Sequence, residues 1–144
     1  MVDTIKKMLK FSTLHELKEG LSEKNTWIWK KNKIKLPFQL VEIYRSFNGG
    51  EIFIPGTTIY RLDSSSEESI RDRNKKSVRQ LMNMPLNYLV FASSNYGDLI
   101  AVNLNDPYDV IQWSHESDEE FCRWDSIEQW LSETIADYEK YETG

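Results

Sequence analysis

Apolar residues recur along this chain in two periods, and the helical run that the rest is organised around lies near its first third. Leu36, Leu40, Val41, Tyr44 and Phe47 fall on one face at helical spacing. Pro37 suits the first helical position, where its missing N–H costs nothing and its fixed φ is already helical. Asn48-Gly49-Gly50 then predicts a helix stop, since Gly readily takes the left-handed conformation that closes a last turn. The strand-like run Glu51–Ile54 follows at once. The stretch therefore reads as helix, stop, strand, with its apolar face aimed at a sheet.

Before it, Val2, Ile5 and Leu9 make a first helical stripe, with Lys6, Lys7 and Lys10 off that face. Thr13 and Glu16 have capping-box spacing, which predicts a second short helix through Leu14 and Leu17, ending at Gly20. Trp27 and Trp29 alternate with Ile28 and suit a short strand. Beyond Gly50, the apolar pieces 51–54 and 58–62, split by Pro55-Gly56, predict a hairpin. Ser64-Ser65-Ser66 followed by Glu67 and Glu68 predicts a helix start, and Pro85 ends that element. Residues 88–92, 99–103 and 109–113 read as three strands joined by the turns SSNYGD and NDP. Loops this short imply antiparallel pairing. Residues 121–124 suit a short edge strand. The last element is a helix capped by Asp125 or Ser126, with Ile127, Trp130, Leu131, Ile135 and Tyr138 on its apolar stripe.

With 144 residues and ordinary globular proportions, 40% hydrophobic and 28% charged, one domain over 1–144 is expected. No apolar run approaches the ~18 residues of a membrane span, and the N-terminus lacks the apolar core of a signal peptide. A lone cysteine, Cys122, points to a reduced thiol and a cytoplasmic setting. The net charge of −5 is unevenly spread: +5 over residues 1–35, −2 over 36–115 and −8 over 116–144. That acidic end argues against nucleic acid as the main partner and allows a basic protein partner.

Candidate chemistry is thin. The two histidines, His15 and His115, belong to no nucleophilic constellation. His115 with Cys122 makes two possible ligands, too few for zinc. The glycines of Asn48-Gly49-Gly50 follow a helix, whereas a phosphate loop precedes one. No cofactor and no metal are expected, and the chain reads as a non-enzyme. Trp113 and Trp124 flank an acidic loop, and tryptophans are favoured interface anchors.

The order of these motifs resembles the SUKH superfamily, which includes immunity proteins and yeast cell-wall-assembly regulators. Four features carry the resemblance: the Leu36-Pro37 helix running to Asn48-Gly49-Gly50, the strand Ile59-Tyr60-Arg61-Leu62, the hairpin VFASSNYGDLIAVN over 90–103, and the closing strand and helix with Asp125, Ser126, Ile127, Trp130 and Leu131. Together they span roughly residues 36–135. The resemblance implies an α+β fold: a twisted, mainly antiparallel sheet of about five or six strands with helices packed on it. It further implies a bacterial antitoxin or immunity protein that binds and neutralises a cognate polymorphic toxin, possibly a nuclease, by protein–protein contact. A non-catalytic regulatory or scaffold module is the alternative. The expected partner-binding residues are Trp113, Glu116, Asp118, Glu119, Glu120 and Trp124, the acids steering and the tryptophans anchoring.

Overall fold

The short apolar runs between turn residues in the second half of the chain build a meander. The structure is a computed structural model that describes residues 1–9, 16–19, 36–53, 56–62, 70, 74, 84–85, 87–94 and 96–143. Among them run α1 (Val2–Leu9), β1 (Glu16–Glu19), α2 (Phe38–Ser46), β2 (Phe47–Ile52), β3 (Thr57–Ile59), β4 (Tyr88–Ser93), β5 (Leu99–Asn103), β6 (Val110–Ser114), β7 (Glu119–Trp124) and α3 (Ile127–Thr143). The seven strands lie side by side in chain order, each pair of neighbours antiparallel. Strands β2–β7 form the antiparallel sheet of the expected α+β fold, and β1 adds one more strand at its edge. The predicted strand at Trp27 and Trp29, and the helix predicted after Ser64, lie outside the described residues apart from Ile70 and Asn74.

Two expectations are corrected. Residues 16–19, expected in a helix, form a strand paired with β2 through Glu16↔Glu51 and Leu17↔Gly50. The capping-box spacing of Thr13 and Glu16 is a local signal, and tertiary strand pairing overrides it. The second correction concerns Asn48-Gly49-Gly50. No glycine cap ends α2: Phe47 follows the helix already extended, with φ −158° and ψ 146°. Asn48, Gly49 and Gly50 are strand residues of β2.

The apolar stripes do pack as their spacing requires. Ile5 and Met8 of α1, Leu40, Ile43 and Tyr44 of α2, and Ile127, Trp130, Leu131 and Ile135 of α3 are buried in one core with the strand residues. Trp130 meets Phe91 of β4 edge-on, with ring centroids 5.2 Å apart, and Tyr138 stacks on Phe53 at 4.4 Å. A buried tryptophan of this kind contributes about 3–5 kcal/mol by truncation. The helices also join one another. Gln39 of α2 accepts a hydrogen bond from the Glu128 amide at 2.9 Å, and Thr4 of α1 donates to the Glu128 carboxylate at 3.2 Å. At the start of α3, the Ser126 hydroxyl accepts from the Gln129 amide at 3.1 Å. The Gln129 side chain reaches back to the Asp125 amide at 2.6 Å. Of the two caps suggested by sequence, Ser126 is the one that satisfies a first-turn amide, while Asp125 contributes its own amide to the Gln129 side chain.

A meander places alternate turns at the same end of its sheet. The turns β2–β3, β4–β5 and β6–β7 share one end, and the last of them carries the acidic residues.

Candidate acidic interaction surface

Strand β6 supplies Trp113, the turn after it Glu116 and Asp118, and β7 the residues Glu119, Glu120 and Trp124. The structure brings these six expected residues together at the β6–β7 hairpin, in two different roles. Trp113 is buried, 8% exposed, and donates its indole N–H to Asp118 at 3.0 Å. Asp118 lies in the turn at φ 53°, so this bond ties a left-handed residue to the strand before it. Trp124 is half-buried and donates its indole N–H to Glu133 of α3. Glu120 is held by Arg123, at 2.6 Å to Nη2 and 3.2 Å to Nε. Glu116 and Glu119 are exposed, and no hydrogen bond or ion pair engages them among the described residues. The tryptophans and two of the acids thus brace the hairpin, while two acids face solvent.

The braces extend across the sheet. Strand β7 carries one residue too many: Gln112 opposes Cys122, Trp113 opposes Glu120, and Phe121 is left between them. Residues three apart point to opposite faces of a regular strand. The bulge turns Glu120 onto the same face as Arg123, so the two can pair. Arg123 also reaches the Asp109 carboxylate and, at 3.1 Å, the Tyr88 hydroxyl. Asn103 donates to Asp109 at 3.0 Å, and the Tyr88 hydroxyl donates to the same carboxylate. Burial pushes the Asp109 carboxyl up, but the hydrogen bonds and Arg123 outweigh it and hold it below the usual carboxylate range. Tyr88 moves the other way: burial, then the carboxylate beside it, push its phenol up.

A second brace joins the β4–β5 turn to the same hairpin. Asp98 accepts from Gln112 at 2.9 Å and from the His115 amide at 3.2 Å, and its Oδ1 lies 2.7 Å from His115 Nδ1. Burial pushes the Asp98 carboxyl up, and the Gln112 and His115 hydrogen bonds bring it below its ordinary value. The Cys122 thiol is raised by burial and then by Glu133, Glu120 and Asp98, which keeps it protonated and weakly nucleophilic. Among the described residues, no group of three or more His, Cys, Asp or Glu side chains is placed to hold a metal ion.

Sequence reasoning did not connect Tyr88, Asp109, Arg123 and Glu120, because a bulge leaves no periodic mark. It did not single out Phe121 either, which is 71% exposed. At the opposite end of the sheet, Pro37, Phe38, Pro107, Tyr108 and Ile127 line a shallow groove of about 270 Å³.

An antiparallel meander backed by helices, with an acidic hairpin at one end, is the architecture of a small α+β domain. The chain belongs to the SMI1 / KNR4 family (SUKH-1), whose family model matches residues 26–133. The match begins ten residues ahead of the Leu36-Pro37 motif and so takes in Trp27 and Trp29. No curated protein matches the chain. Among the described residues, no helix is long and apolar enough to cross a membrane.

Proposed function

We propose that this protein is a bacterial immunity protein that acts in the cytoplasm, binding a basic toxin domain and occluding it by contact rather than by chemistry. The carrying observation is the braced acidic hairpin of a SUKH-1 domain: Glu116 on the β6–β7 turn and Glu119 at the start of β7 are exposed, with no side-chain partner among the described residues. Fixed negative charge on a firm support raises the association rate with a positively charged partner, and salt weakens the effect. The −8 net charge of residues 116–144 extends the same field along α3.

The test uses the C-terminal domain of a toxin encoded beside this gene, if the neighbouring gene encodes one. Mixed with the protein, it forms a stable complex and loses its toxicity in cells that co-express the two. Glu116→Lys with Glu119→Lys slows association about tenfold at low salt and flattens its salt dependence. A toxin domain that neither binds the protein nor is neutralised by it refutes the proposal. Unchanged salt dependence in the double variant moves the interface elsewhere.

A further inference from the structure

The two tryptophans expected to anchor a partner are occupied within the chain. Trp113 is buried with its indole N–H on Asp118, and Trp124 lies half-buried with its own on Glu133. The large apolar side chain that the hairpin presents instead is Phe121, 71% exposed on a strand whose other described side chains are acidic, basic or half-buried. Its exposure is built by the register. Had the ladder run on regularly from Gln112↔Cys122, Phe121 would oppose Trp113, on the face that Glu120 and Arg123 occupy. The extra residue in β7 gives that place to Glu120, where Arg123 receives its carboxylate, and leaves Phe121 outside the pairing. Such bulges at sheet edges re-aim a side chain. The bulge also breaks the regular row of outer N–H and C=O groups, so a partner strand cannot simply extend the sheet here.

From this geometry we infer that Phe121 is the anchor of the partner interface: it inserts into an apolar pocket of a protein surface rimmed by Lys or Arg, which meet Glu119 beside it and Glu116 on the adjoining turn. The inference rests on the proposed immunity function and names the contact that holds the complex. Charge complementarity identifies the occupant. Of the four acids on this hairpin, Glu116 and Glu119 have no side-chain partner among the described residues, whereas Glu120 and Asp118 already have theirs. A central aromatic anchor with a charged rim divides the labour: the rim sets the association rate and the anchor sets the lifetime of the complex.

The experiment measures association and dissociation rates of the neighbouring toxin domain with the wild-type protein and three variants, each first checked for an unchanged thermal midpoint. Phe121→Ala raises the dissociation rate about 100-fold and leaves the association rate within about threefold. Phe121→Leu recovers most of the lifetime. Glu116→Lys with Glu119→Lys lowers association and leaves dissociation nearly unchanged. Wild-type lifetime in Phe121→Ala, with binding otherwise intact, overturns the anchor and leaves the immunity function standing. Failure of the wild-type protein to bind overturns both. Should Phe121→Ala shift the thermal midpoint, Phe121→Ser and Phe121→Lys are compared. Loss of lifetime that followed stability rather than the side chain would also overturn the anchor.

Discussion

Gly49 of β2 lies against the backbone of Ile59 in β3, so close that a Cβ on Gly49 would stand 2.6 Å from the Ile59 carbonyl oxygen. The same atom would meet the Tyr60 carbonyl carbon at 2.9 Å. Gly49 also has φ +79°, a conformation that costs an L-residue about 1–2 kcal/mol. Both demands act on one position, and neither neighbour is a side chain that could swing away.

Gly49→Ala should therefore destabilise the protein by about 2–5 kcal/mol, from left-handed strain and overpacking against backbone together. Urea unfolding measures it. A variant within about 0.5 kcal/mol of wild type would mean that β2 and β3 can part without cost. That would remove the reason for glycine here.

This contact also shows where the sequence is legible and where it is not. Helix α2, the strands β4, β5 and β6, and α3 were readable because their signals are periodic: a stripe of apolar residues every three or four, or short apolar runs between turn residues. Asn48-Gly49-Gly50 marked the right place for the wrong reason. Glycine after a helix signals a local stop, whereas its cause here is a neighbour ten residues on, which only the folded sheet supplies. Residues 16–19 failed likewise, since a four-residue edge strand takes its structure from β2. At the site, charge was visible in composition, but which acids are free was not. The bulge at Phe121 decides that, by bringing Glu120 to Arg123.

Asn74 completes the edge of β4 where β3 ends. Its side chain accepts from the Val90 amide at 2.9 Å and donates to the Val90 carbonyl at 2.7 Å, as a strand partner would. It also donates to the Ile70 carbonyl at 2.8 Å. Asn74→Ala should cost about 1–3 kcal/mol, because Val90 is buried and loses partners for both backbone groups. Hydrogen exchange at the Val90 amide should accelerate more than exchange elsewhere in β4. Uniform acceleration would show only global destabilisation.

Asp109 makes stability depend on acid. Its carboxyl lies lower in the folded protein than in the unfolded chain, despite burial, because Tyr88, Asn103 and Arg123 favour its charged form. The folded state thus binds fewer protons, and stability falls as pH drops through the carboxylate range. Asp109→Asn should lose about 1–3 kcal/mol at pH 7, a figure moderated by the half-exposed Arg123. The gap to wild type should begin to narrow below about pH 4, where the unfolded chain's carboxyl protonates, and close as pH falls through the lower folded value. Urea unfolding at pH 7, 5 and 3 gives the comparison. A gap that persists unchanged at pH 3 would exclude the charge as its cause.

Tyr44 couples the helix α2 to the strand region it covers. It is fully buried, and its hydroxyl donates to the Tyr60 carbonyl at 2.5 Å. Burial raises its phenol well above the ordinary tyrosine range. A group raised in the folded state contributes fully below its unfolded value, and the contribution is lost as pH climbs past it. Wild-type protein should therefore lose stability above about pH 10. Tyr44→Phe removes the donor at a cost of about 1–3 kcal/mol at neutral pH, and should soften the alkaline loss, leaving the part due to Tyr88. Tyr44→Asp instead buries a carboxylate in the core and should unfold the chain, and with it abolish the proposed toxin binding. Circular dichroism beside a binding measurement separates the cases. A Tyr44→Asp protein that melts normally but no longer binds would place Tyr44 in the interface and not in the core.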